Sequence, residues 1–253
     1  MKKAGYEGSD YHSGLRFDKN LSEEVDSPDK ADALLVPLST REHGHLTPKL
    51  WEKTVEYFKI DERRFVSFDC SDEEWQTEKY KLGTFIRCNL KGFMKRQMPR
   101  SIAWSWPIAN YKDCVEIPQG GHKYSIGFHG WITSSNVRLS STESCSKTFG
   151  SDFDYCGYRD FYGYLDRPKE QGGNPEEATR RMNLFKLSLK NCLLQLTPCS
   201  IWNVFPYRWW EAMSAGRVPV LFCDDYCLPF EDKIDYKKCS VIFRKELFQK
   251  NNE

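Results

Sequence analysis

Apolar residues fall in short runs along the chain, and the runs alternate between strand and helix spacing. Ala33-Leu34-Leu35-Val36-Pro37-Leu38 reads as a strand buried on both faces. From Leu46 to Phe58 the period is helical, with Pro48 in the first turn and a stripe of Leu50, Trp51, Val55 and Phe58. Phe65-Val66-Ser67-Phe68 is a second strand, ending at Asp69, and Thr84 to Cys88 a third. Ser101 to Trp106 is a fourth, stopped by Pro107. This alternation with short crossovers predicts a doubly wound parallel sheet. The first thirty residues are polar and irregular and read as an arm (1–30).

The clearest linker signal is Ile117-Pro118-Gln119-Gly120-Gly121. It divides an N-terminal α/β domain (31–118) from a C-terminal one (122–253). Tyr124 to Gly130 opens the second domain as a strand, whereas Gly150 to Tyr164 is aromatic and glycine-rich without a clean period, and no strand is expected there. Asn174-Pro175-Glu176-Glu177 combines a cap, an N1 proline and first-turn acids, so a helix starts there and buries Met182, Phe185 and Leu189. A strand at Cys192 to Leu196 follows, and after a long loop comes a helix carrying Arg208 and Glu211 on one face. Gly216 suits the left-handed residue that ends a helix, and Val218 to Phe222 is a buried strand with Asp224 and Asp225 just past its end.

Strand, helix and strand in this order form a right-handed βαβ unit, whose ligands lie outside the carboxyl ends of the strands. Arg208 falls in the first turn of the helix, where a cation opposes the helix dipole unless an anion offsets it. An ordinary exposed Arg–Glu helix pair is the alternative.

Composition narrows the partners. The 37 basic and 36 acidic residues leave no net field for nucleic acid or an anionic membrane. No apolar run approaches the roughly 18 residues of a membrane span, and the N-terminal MKKAGYEGSDYHSG has no apolar segment behind its basic start. No stable membrane insertion and a cytoplasmic location are therefore expected. The ten cysteines include no C-x-x-C pair, and no histidine follows His129 to complete a zinc set with Cys223, Cys227 and Cys239. Reduced thiols are the expectation.

The stretch Asn203 to Phe230 resembles the C-terminal signature of the exostosin-like glycosyltransferases (the family 47 type). An Arg and the Glu-Ala of a short helix precede an A-G-x-x-P-V strand, an acidic turn and Leu-Pro-Phe. Here these are Arg208, Glu211-Ala212, Ala215-Gly216-Arg217-Val218-Pro219-Val220, Asp224-Asp225 and Leu228-Pro229-Phe230. Ile234-Asp235-Tyr236 and Ser240-Val241-Ile242 continue the pattern, and Asp29 to Pro37 and Phe65 to Asp69 resemble the family's N-terminal half more loosely.

The resemblance implies an α/β GT-B arrangement, two Rossmann-like domains facing a cleft, with a second domain short at its C-terminus beside the relatives. It implies an inverting, metal-independent hexosyltransferase that moves a sugar from a nucleotide-diphosphate donor, UDP- or GDP-linked, to a glycan or glycoconjugate acceptor, with no further cofactor. Arg208 and Arg138 would hold the diphosphate, Glu211 the ribose hydroxyls, and Gly216 would lie in the donor-site signature. The base that deprotonates the acceptor would come from Asp69, His43 or His45, unranked. A Golgi lumen location would follow only if an N-terminal anchor has been removed.

Two other readings compete. A fucosyltransferase-like GT-B enzyme would carry Thr-Glu-Lys where this chain has Trp210-Glu211-Ala212, and a non-catalytic nucleotide- or glycan-binding module would bind without turnover. Asp152-Phe153-Asp154 has the letters of a metal-binding D-x-D, but that motif follows an apolar strand, so no metal site is expected there.

Overall fold

Runs of β-branched and aromatic residues too short for helices set the strands, and each strand's alternation divides its side chains between two faces. The computed structural model describes residues 34–36, 56–57, 59, 61–69, 84–88, 90–91, 95–96, 100–103, 111–160, 169–200 and 205–243. The chain separates into two compact units, one of Met1–Ile108 with Cys227–Pro229 and one of Ala109–Tyr226 with Phe230–Glu253.

The first unit holds a four-stranded parallel sheet in the order β1 (Leu34–Val36), β2 (Phe65–Asp69), β3 (Thr84–Arg87), β4 (Ile102–Ala103). All four lie where the apolar runs predict them. Of the helix expected over 46–58, only Glu56 and Tyr57 fall within the described residues, and both are helical. The polar arm lies outside them.

The second unit is α/β, a five-stranded, wholly parallel sheet flanked by helices and compatible with a Rossmann-like fold. Its elements are β5 (Tyr124–Trp131), α1 (Asn136–Phe149), β6 (Phe153–Tyr158), α2 (Pro175–Asn191), β7 (Cys192–Pro198), α3 (Tyr207–Ser214), β8 (Val218–Phe222) and β9 (Val241–Phe243). The spatial order is β6-β5-β7-β8-β9. The chain therefore steps outward from β5 to β6, then crosses back past β5 to β7, and strand order reverses between β5 and β7. In open parallel sheets that switch point opens a crevice at the carboxyl ends of the strands.

One correction concerns residues 150–164. The structure has a strand, β6, where none was expected. Phe153 and Tyr155 alternate on one face and Asp154 and Cys156 on the other. Because β6 is an edge strand paired only with β5, half its face stays wet: Phe153 is buried while Tyr155 is 43% exposed. Polar and glycine positions thus interrupt the apolar run that marks a central strand.

Cores form on both faces of the sheet. Ile126, Phe128, Phe153, Leu196, Val220 and Phe222 pack with Cys145 and Val137 of α1. On the other face Tyr111, Cys114, Phe185, Leu189 and Ala215 form a second cluster under α2. There Gly127 allows α2 to approach the sheet: a Cβ on it would lie 2.7 Å from Cys192 Sγ and closer still to Ser188 Oγ.

The presence of Tyr111 and Cys114 in that cluster places the segment before the 117–121 linker signal within the second unit. Arg217 holds it there. Its buried guanidinium donates through Nη2 to the carbonyls of Cys114 (2.6 Å) and Val115 (3.2 Å), and through Nε to Leu189 near the end of α2. Burial lowers the Arg217 pKa, and these carbonyls are what the cation has in exchange for water.

Candidate functional site

Two helices begin at the carboxyl edge of the second sheet near the switch point, and each brings an arginine. α1 is capped by Ser135, whose Oγ accepts the Arg138 amide at 3.2 Å and donates to Cys199 O at 2.8 Å. The Arg138 side chain turns back across the strand ends. Its Nη1 donates to Trp131 O (2.9 Å), the last residue of β5, and its Nε to Pro198 O (3.3 Å), the last of β7. Arg138 therefore bridges the two strands that define the switch point, and neither bond uses Nη2. Among the described residues no carboxylate pairs with it. Its pKa is lowered to about 10, chiefly by burial and further by the charge of Arg208 nearby. Two cations held close together are repulsive unless something negative lies between them.

Arg208 stands in the first turn of α3, as expected. This eight-residue helix is too short to be stable alone and is anchored by Trp209, fully buried against Phe205 at 5.8 Å and Tyr236 at 6.4 Å. Arg208 lies with its guanidinium 3.6 Å over the Phe185 ring of α2, and its Nη1 donates to Glu211 Oε2 at 2.8 Å. Glu211 is buried, and its other oxygen, Oε1, accepts the Tyr111 hydroxyl at 3.2 Å. Tyr111 packs edge-on to Phe185 at 5.7 Å, and its hydroxyl oxygen also lies 3.4 Å from Met182 Sδ.

Neither a family model nor a curated protein matches this chain.

The remaining expected residues fall apart from this group. Gly216 is at the opposite end of α3 from Arg208, in the left-handed conformation (φ 67°), and serves as a helix stop. Its amide donates to Met213 O (3.0 Å) and that of Arg217 to Ala212 O (2.9 Å), the paired bonds of a Schellman cap. Asp69 ends β2 in the first unit, in register with the buried Arg87 of β3. His43 and His45 lie outside the described residues. Asp224 and Asp225 follow β8 as expected, Asp225 with φ 52°.

Asp152 and Asp154, the D-x-D letters, flank the start of a strand after all, and both are engaged. The Asp152 carboxylate accepts the Ser125 amide at 2.9 Å. Asp154 Oδ2 lies 3.2 Å from His129 Nε2 and accepts the Cys192 thiol at 3.6 Å. The His129 approach meets the distance of an ion pair but not the alignment of a hydrogen bond. Burial works to raise the Asp154 pKa, but His129 and Ser188 beside it outweigh that and hold it below the ordinary carboxylate value. The Cys192 thiol is pushed up to about 12 by burial, which keeps it un-ionised and unreactive. Among the described residues, no group of three or more His, Cys, Asp or Glu side chains is arranged to hold a metal ion, and no helix is long and apolar enough to cross a membrane.

Tyr111 and Phe185 were absent from the expected site. Phe185 is legible only as a core position, and Tyr111 carries no signal at all, because its partner lies 100 residues away. Ser135 could have been found as a cap residue three positions before Arg138.

Proposed function

We propose that the second unit binds the diphosphate of a nucleotide sugar and that the chain is an exostosin-like inverting glycosyltransferase. The observation that carries this reading is the pairing of Arg138 and Arg208. They come from two different helix starts, at the switch point of a parallel sheet, with one charge close enough to depress the other's pKa. Backbone amides at the same helix starts add donors of the same sign. A diphosphate answers that arrangement. As the sugar leaves, negative charge grows on the departing phosphate, and fixed guanidinium groups stabilise that change without reorganising. The GT-B arrangement belongs to the same reading, with the first unit supplying the acceptor side and Asp69, His43 or His45 the base. The resemblance gives Glu211 the ribose hydroxyls; the carboxylate is buried, and each of its oxygens already accepts one bond within the protein, Oε1 from Tyr111 and Oε2 from Arg208.

The test is thermal melting of the full chain against UDP, GDP and their sugar conjugates, with Arg208→Ala and Arg138→Ala alongside. A ligand at a hundredfold excess over its Kd stabilises by about 2.7 kcal/mol, a shift of a few degrees. The expected result is a shift with one diphosphate nucleotide that both variants lose, accompanied by nucleotide release from the sugar conjugate when an acceptor is present. A shift without any release would favour the binding-module reading. No shift with any nucleotide would sink the donor site.

A further inference from the structure

We infer that Glu211 and Tyr111 are positioning residues that fix the orientation of the Arg208 guanidinium on the Phe185 ring, rather than ligands of the nucleotide's ribose; this rests on the diphosphate reading of the site. A guanidinium on a flexible stem has several torsions to lose before it can meet a diphosphate, and rotamer freedom left in the free protein is subtracted from affinity. Arg208 has lost that freedom already. Its central carbon, Cζ, lies 3.6 Å from the centroid of the Phe185 ring, and the bond from Nη1 to Glu211 Oε2 at 2.8 Å limits its remaining rotation. Nε and Nη2 are not used in that bond, and among the described residues neither has another hydrogen-bond partner.

Glu211 in turn is held from its other side. It is buried to 7% exposure, and Oε1 takes the Tyr111 hydroxyl at 3.2 Å, so the carboxylate has one orientation. A ribose ligand needs a carboxylate with accessible lone pairs; this one is covered by a tyrosine from the segment before β5 and by the arginine itself. The chain of contacts runs Tyr111 to Glu211 to Arg208, with Phe185 touching both ends. A negative charge beside the anion site weakens the attraction for a diphosphate, and its presence is intelligible if it buys a fixed guanidinium.

Pyrophosphate separates the two roles, because it carries the diphosphate and no ribose. Binding of inorganic pyrophosphate, UDP and GDP to the full chain is measured by calorimetry for wild type, Glu211→Ala, Glu211→Gln and Tyr111→Phe, with melting curves to confirm folding. If Glu211 positions Arg208, Glu211→Ala weakens pyrophosphate and the nucleotide by the same factor, about tenfold for one charge-assisted bond. Tyr111→Phe, which keeps the ring, weakens both by a smaller equal factor and adds nothing once Glu211 is alanine. Glu211→Gln keeps an acceptor for Arg208 and restores part of the loss. A loss confined to the nucleotides, with pyrophosphate binding unchanged in Glu211→Ala, overturns the inference in favour of a ribose ligand. Additive losses in the Tyr111→Phe/Glu211→Ala pair overturn the relay. If wild type binds neither pyrophosphate nor a nucleotide, the diphosphate reading itself fails and takes the inference with it.

Discussion

Asp154 and Arg138 show how much a single side chain's role depends on which end of the sheet it occupies. Asp154, early in β6, faces α2 with His129, Ser188 and Cys192 around it, and its folded pKa is depressed. The unfolded chain then binds a proton more readily than the folded one, so Asp154 contributes stability that is present above the ordinary carboxylate pKa near 3.8 and is lost as the pH falls through the lower folded value. Asp154→Asn should therefore lower stability at neutral pH and flatten the acid limb below about pH 4, as read from urea midpoints across a pH series. An acid limb unchanged in the variant would remove Asp154 from the account. Arg138, at the opposite edge, is a cation bonded only to strand-end carbonyls among the described residues, and its lowered pKa reports unfavourable surroundings that an anion relieves.

At the scale of elements, caps and anchors decide which short segments become helices. α2 begins at Asn174, whose side chain accepts the Glu177 amide at 3.1 Å, with Pro175 at its first position. Asn174→Ala is expected to destabilise by about 1 kcal/mol, seen as a lower denaturant midpoint with an unchanged slope. Since α2 carries Phe185, the platform for Arg208, a larger loss than that would mean the cap also holds the loop before it. α3 solves a harder problem, with eight residues, no side-chain cap at its start and a cation in its first turn. Its stability comes from Trp209 in the core and from the Schellman cap at Gly216, so its first turn is free to carry a residue that helix energetics alone would disfavour.

For the molecule as a whole, the sheet order concentrates the candidate chemistry of the second unit at one edge. The last residues of β5 and β7 and the first turns of α1 and α3 meet there, whereas Gly216 and the Asp152–Ser125 bond lie at the other edge. Hydrogen exchange of the full chain with a bound diphosphate nucleotide should slow amides at 132–138 and 207–211 and leave those at 213–217 unchanged. Protection spread evenly over the second unit would indicate general stabilisation instead of a localised site.

Much of this was legible in the residues themselves. Apolar runs fall where β1 to β5, β7 and β8 lie, and a cap, a proline and a glycine mark the ends of α2 and α3, because strand burial and helix termini are settled by neighbours within a few positions. The Arg208–Glu211 pair was legible for the same reason, being one helical turn apart. β6 was not, since an edge strand wet on part of its surface needs no continuous apolar run. Nor was the approach of Arg138 to Arg208, nor the hydroxyl of Tyr111 on Glu211. The first is an electrostatic influence across 70 positions (208 − 138) and the second a hydrogen bond across 100, and both depend on the order β6-β5-β7-β8, which local periodicity does not encode. Local patterning determined most of the elements and one charged pair, and only the packing of five strands and three helices decided the edge strand β6 and which charges would come near each other.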